Sequence, residues 1–141
     1  MIILSVDLGK IRTGIAVCDK SEIIASPVTT IKEHNRDVLA EKINEICKER
    51  KAEQIVIGLP INMDGTEGES AIAVREFSEK LKKITGLEVL FSDERGTSVT
   101  AHNYLNFTDT RGQKRKNTVD SVAAVIILED YMRKRKNRGD A

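Results

Sequence analysis

The sequence predicts an α/β fold, a mixed five-stranded sheet flanked by helices in the order βββαβαβα. Three observations carry that expectation. The first thirty residues hold three runs rich in branched apolar side chains, separated by short polar links. From about residue 35 the apolar period lengthens to 3.6, and helix-like and strand-like segments then alternate. The chain is 141 residues long, close to the rough ~150 residues of one domain.

Residues 2–8 are apolar apart from Ser5 and Asp7 and stop at Gly9, which reads as a strand with a carboxylate near its end. A second strand, 13–18, follows the link Lys10-Ile11-Arg12, and a third, 22–30, follows the turn Asp19-Lys20-Ser21. Pro27 cannot donate a ladder hydrogen bond, so the third strand belongs at an edge or bulge. Asn35 is a side-chain cap for a helix whose stripe is Val38, Leu39, Ile43, Ile46 and Cys47. Residues 54–59 read as a buried strand closed by Gly58 and Pro60. After the Asp64-Gly65 turn, Thr66 and Glu69 match a capping box for a second helix along Val74, Phe77, Leu81 and Ile84, ending at Gly86. A fifth strand, 87–92, runs straight into Asp93-Glu94-Arg95. Beyond it are expected a short helix over 98–105, a polar basic loop over 107–116 and a last helix over 117–133. Residues 1–133 then make one domain, and 134–141 a frayed basic tail. A meander followed by right-handed crossovers is the ribonuclease H-like layout, in which ligands gather at the carboxyl ends of the parallel strands.

Composition narrows the function classes. With 23 Lys and Arg against 22 Asp and Glu, no global field marks a partner, and any nucleic-acid surface must come from local segregation of charge. Cys18 and Cys47 lack ligand spacing, which argues against a disulfide framework or a thiolate zinc site. No basic leader opens the chain, and the longest apolar run, 122–128, falls far short of the ~20 residues that span a bilayer. A cytoplasmic protein without membrane contact is expected.

The acids hold the chemistry. Asp7 lies at the end of the first strand, Asp93 and Glu94 at the end of the fifth, and Asp120 in the first turn of the last helix. Ala123, Ala124, Ile127 and Tyr131 share the helical face of Asp120, and the two alanines allow close approach to the sheet. Two carboxylates ~4 Å apart repel by about 4 kcal/mol at an effective dielectric near 20, so three at one sheet edge imply a cation among them. Oxygen donors without His or Cys select Mg²⁺ or Mn²⁺, as one ion or two, the chemistry of phosphodiester hydrolysis. Adjacent strand residues face opposite ways, so only one of Asp93 and Glu94 can join Asp7. The longer Glu94 is favoured as ligand, with Asp93 in support.

Four ordered motifs extend these signals into a family likeness. Asp7-Leu8-Gly9 with Gly14-Ile15-Ala16-Val17, residues 56–66, Asp93-Glu94-Arg95 with Thr97-Ser98, and residues 117–128 resemble the signatures of the YqgF/RuvX family. The resemblance implies a ribonuclease H-like, divalent-metal nuclease. Members are regarded as maturing the 5′ end of precursor 16S ribosomal RNA, and were earlier regarded as Holliday junction resolvases. It implies catalytic, metal-holding acids at Asp7, Glu94 and Asp120; Asp93 and Arg95 are read as residues that support them. Glycine loops of the kind Asp7-x-Gly9-x-x-x-x-Gly14 also bind phosphate in sugar kinases and actin-like ATPases, but those proteins need more than twice this length.

Arg111, Lys114, Arg115 and Lys116 precede Asp120, and Lys10 and Arg12 follow Asp7, which makes these six the candidate nucleic-acid contacts. Aromatic residues are scarce, so backbone contact should dominate over base reading. The expected partner is nucleic acid, structured RNA ahead of a four-way DNA junction, with precursor ribosomal particles as its setting. No apolar stripe announces a strong dimer, so a monomer or weak dimer is expected. A DNA junction resolvase on the same metal site is the first alternative. A non-catalytic nucleic-acid scaffold is the second, opposed by the acids, which repel phosphate unless metal intervenes.

Overall fold

The computed structural model describes residues 1–62, 64–93 and 112–139, with side chains in the last stretch from residue 122 onward. Its elements are β1 (Ile3–Asp7), β2 (Arg12–Cys18), β3 (Ala25–Lys32), α1 (Arg36–Arg50), β4 (Gln54–Leu59), α2 (Glu69–Thr85), β5 (Glu88–Asp93) and α3 (Gly112–Asn137). The five strands form one sheet in the order β3-β2-β1-β4-β5. β1–β2 and β2–β3 pair antiparallel, whereas β4 and β5 run parallel with β1. The expected mixed sheet is therefore present, with β3 at an edge. Pro27 stands opposite Ala16, beside a register shift between Ile15 and Ala16, where a missing N–H is tolerated.

Strand alternation builds two cores. Leu4, Val6, Ile15, Ile55, Ile57, Leu59 and Val89 pack with Leu39 and Ile43 of α1 and Val74, Phe77 and Leu81 of α2. On the other face Ile3, Ala16, Cys18 and Val56 pack with Ala124, Ile127, Leu128 and Tyr131 of α3. The alanines do bring α3 close: Ser5, fully buried, donates through Oγ to the Ala124 carbonyl at 2.7 Å. Tyr131 Oη donates to Gln54 Oε1 at 2.8 Å, at the start of β4.

Helix ends follow local chemistry, with two corrections. Asn35 caps α1, accepting from the amides of Asp37 and Val38 at 3.0 and 3.1 Å, and Gly86 ends α2 at φ 70°. The capping box at Thr66 and Glu69 does not form. Gly68 is the cap residue, and the Thr66 hydroxyl donates instead to Asp64 Oδ1 at 2.7 Å. The last helix also begins ahead of residue 117, so positions 112–116, expected in a loop, are helical. The short helix expected over 98–105 lies outside the described residues. Among the described residues, no helix is long and apolar enough to cross a membrane.

At the other end α3 runs past residue 133, where fraying was expected. The reason is Arg135, only 9% exposed, whose guanidinium donates to both oxygens of Glu22 at 2.8 and 3.4 Å. The Met1 ammonium joins Glu22 at 3.2 Å. The Arg135 hydrogen bond holds the Glu22 carboxyl below its ordinary range. A depressed carboxyl contributes its full stability above the unfolded value, about 4.3, and loses it as pH falls through the folded value. Arg135→Ala should therefore cost about 3 kcal/mol at pH 7, roughly 10 °C in Tm, by leaving Glu22 buried without its main partner. The Tm gap between wild type and Glu22→Gln should close as pH falls from about 6 to 3. A gap that stays constant over that range would refute the contribution.

Candidate active site at the carboxyl ends of the central strands

Asp7 is the last residue of β1 and half-buried. It follows Ile3 and Ser5 in the strand alternation, which places it on the sheet face covered by α3. Gly14 stands opposite it on β2. On the other side, one step past the Val6–Ile57 rung, comes Gly58, itself opposite Ser92. Asp7 thus sits in a row whose two immediate neighbours, Gly14 and Gly58, carry no side chain.

α3 crosses this face from the carboxyl end of β1 towards its amino end. Ala124 meets Ser5, and Arg135 meets Glu22 beside Met1. Position 120 lies one turn before Ala124, about 6 Å further along the axis, at the end of the sheet where β1 terminates in Asp7. The α3 backbone at position 120 thus lies towards the end of the sheet that carries Asp7. The Asp120 side chain lies outside the described residues, as do those of Lys114, Arg115 and Lys116, and so do Glu94, Arg95 and Arg111 entirely. Among the described residues no three His, Cys, Asp or Glu side chains gather as a metal cage.

β5 ends one strand away. Val89 and Phe91 pack in the α1/α2 core, and Leu90 packs on the α3 side. Ser92 reaches Asp130 of α3 at 3.3 Å. Asp93, opposite Leu59, continues the alternation onto the α1/α2 side, away from the face of Asp7.

Two loops frame the site. After β4, the Asn62 amide nitrogen donates to the Thr66 hydroxyl at 2.9 Å, and the Thr66 backbone amide donates to Asp64 at 3.0 Å. Arg75 holds Glu67 with two bonds of 2.7 and 2.8 Å, keeping its carboxyl below the ordinary range, and lies 5.1 Å from the Phe91 ring centre. After β1, exposed Lys10 and half-buried Arg12 follow Asp7 directly. Sequence reasoning passed over Arg36, whose Nη1 donates to the Gly9 carbonyl at 3.0 Å. No periodicity signals that contact, because it depends on where the first turn of α1 docks.

Comparison with known proteins follows the same lines. The family model RuvX, described as Holliday junction resolvase, matches residues 1–134. A "Putative pre-16S rRNA nuclease" of Clostridium botulinum (strain Eklund 17B / Type B) is 42% identical over 132 residues, spanning 94% of this chain and 96% of that one. One of the same name from Endomicrobium trichonymphae is 44% identical over 131 residues, spanning 92% and 94%. Among solved structures, Thermus thermophilus RuvC in complex with a Holliday junction substrate superposes with a TM-score of 0.61 at 12% identity, covering 100% of this chain and 98% of that one. The fowlpox virus Holliday junction resolvase gives 0.56 at 12%, covering 95% and 99%. At such identities the likeness is one of fold, and it agrees with the ribonuclease H-like layout. A family model spanning nearly the whole chain, with relatives above 40% identity, establishes that this chain belongs to the RuvX Holliday junction resolvase family.

Proposed function

We propose that this protein is a divalent-metal-dependent nuclease that hydrolyses phosphodiester bonds during 5′-end maturation of precursor 16S ribosomal RNA, acting on precursor particles in the cytoplasm. The observation that carries the reading is Asp7 at the carboxyl end of β1, between two glycines, on the face where α3 carries position 120. Asp7, Glu94 and Asp120 would hold one or two Mg²⁺ or Mn²⁺ ions. Their all-oxygen donor set fits such hard cations, and the side-chain-free rungs beside Asp7 fit a bound ion and phosphate. A bound cation supplies an activated water and neutralises charge at the leaving oxygen.

The chain's own residues do the rest. Asp93, on the opposite face, supports the strand end, with Arg95 beside it in sequence. Lys10 and Arg12 meet the backbone on the β1 side, and Arg111, Lys114, Arg115 and Lys116 on the α3 side. The electrostatics of α3 favour that role. Its first turn holds no acid, and Lys114 to Lys116 load cations onto the positive end of the helix dipole. Such an arrangement opposes itself until a polyanion arrives.

The names of the relatives favour RNA, and the family description favours a DNA junction as the alternative. Incubation with 5′-extended precursor 16S RNA and with a four-way DNA junction, in Mg²⁺, Mn²⁺ or chelator, decides between them. RNA cleavage that needs metal is expected. Cleavage of the junction alone would move the function to DNA, and binding without cleavage in either metal would leave a scaffold. Replacing Lys114, Arg115 and Lys116 together by Ala should weaken RNA binding and lower the salt slope by ~0.7–0.9 per lost phosphate contact, while cleavage at saturating RNA survives. Unchanged affinity and slope would remove this helix end from the interface.

A further inference from the structure

The loop between β1 and β2 displays an apolar tip for which the nuclease chemistry has no use. Ile11 is 57% exposed, with exposed Lys10 before it and half-buried Arg12 after it. Among the described residues, Arg12 Nε is a buried donor with no hydrogen-bond partner. Two hydrogen bonds to its carbonyls pin the loop. The Glu33 amide donates to the Ile11 carbonyl at 2.8 Å, and Arg36 Nη1 donates to the Gly9 carbonyl at 3.0 Å. Arg36 is itself stacked 5.9 Å from the Phe77 ring centre. Gly9 lies so close to the Arg12 carbonyl that a β-carbon there would overlap the oxygen, so only glycine fits this turn. Ile11 is four positions from Asp7, which keeps the two Cα atoms within about 14 Å, or two to three nucleotides of backbone.

A rigidly presented branched side chain between two cations, beside a site for phosphodiester cleavage, matches one recognition chemistry. Cations fix the register of a nucleic-acid backbone, and apolar wedges enter base steps and partly unstack them. A-form RNA leaves its wide, shallow minor groove open to a short loop. We propose that Ile11 is a wedge for paired RNA: with Lys10 and Arg12 on neighbouring phosphates, it enters a base step next to the scissile bond and opens the stem there. The proposal rests on the nuclease reading above. On unpaired RNA there is no stack to open, so the side chain matters little.

The test compares two RNAs with the same sequence around the cleavage site, one forming a stem and one unpaired. Ile11→Ser should lower kcat/KM on the stem by about tenfold and leave the unpaired RNA within about twofold. Its Tm should match wild type, since the side chain is exposed. Ile11→Phe should keep stem cleavage. In an Asp7→Asn background, 2-aminopurine at the opened step should brighten when the stem binds, and Ile11→Ser should abolish the rise. Equal loss on both RNAs, no loss on either, or a fluorescence rise that survives Ile11→Ser would overturn the wedge. An Ile11 that instead docks on a protein of the precursor particle gives the no-loss result. A wild-type protein that cuts neither RNA overturns the nuclease reading itself, whereas a wild type that cuts the stem no better than Ile11→Ser overturns the wedge alone.

Discussion

Asp7→Asn should reduce Mg²⁺-dependent cleavage by more than about 100-fold, because losing even a group behind a metal ligand typically costs 10–100-fold. The substitution keeps volume and shape at the end of β1, where Asp7 pairs with Gly14, so the strand register should hold. RNA affinity should persist, since the proposed phosphate contacts lie elsewhere. The measurement is single-turnover cleavage across a Mg²⁺ titration, with Tm and binding recorded on the same preparations. Near-wild-type turnover at saturating metal would sink the assignment of Asp7.

Glu94→Gln and Asp93→Asn should differ sharply. The side chains of β5 alternate between Val89 and Phe91 on the α1/α2 side and Leu90 on the α3 side. Asp93 takes the α1/α2 side, which is the observation behind the proposal that Glu94 and not Asp93 is the ligand. Glu94→Gln should cost orders of magnitude in kcat at unchanged RNA affinity, the mark of an interaction made in the transition state. Asp93→Asn should act mainly on stability, by a few kcal/mol at most. Both should be assayed at high Mn²⁺, where a weakened site can refill. A dead Asp93→Asn beside an active Glu94→Gln would reverse the two roles.

Much of this was legible wherever one residue's covalent chemistry decides the outcome. Pro27 lacks an N–H, which predicts an edge strand whatever the neighbours. Asn35 carries its own acceptor, which predicts a helix start. Ala123 and Ala124 lack bulk, which predicts a close helix. The reading went astray where two partners compete. Thr66 could have capped α2, but Asp64, two residues away, takes its hydroxyl. The basic stretch before residue 117 looked like a loop because Gly112 lowers helix propensity and neighbouring cations repel, yet it is helical. Arg135 looked like part of a solvated tail because its partner, Glu22, is 113 positions away. The same separation hides the site: the acids come from three distant segments, and only the pleat of the sheet says which share a face.

The hydrogen bond from Ser5 to the Ala124 carbonyl spans 119 positions, nearly the length of the chain. During synthesis at roughly 5–20 residues per second, about 6–24 s pass between the making of its donor and of its acceptor. In that interval β1 can already pair with β2 and β4 and gather α1 and α2, while the opposite face, with Ser5 and Asp7, still waits for its cover. A nascent chain would therefore be partly folded yet catalytically silent, and would gain its activity when α3 docks. For an enzyme whose proposed substrate is part of the machine that makes it, that delay keeps the cutting function off until α3 has been made.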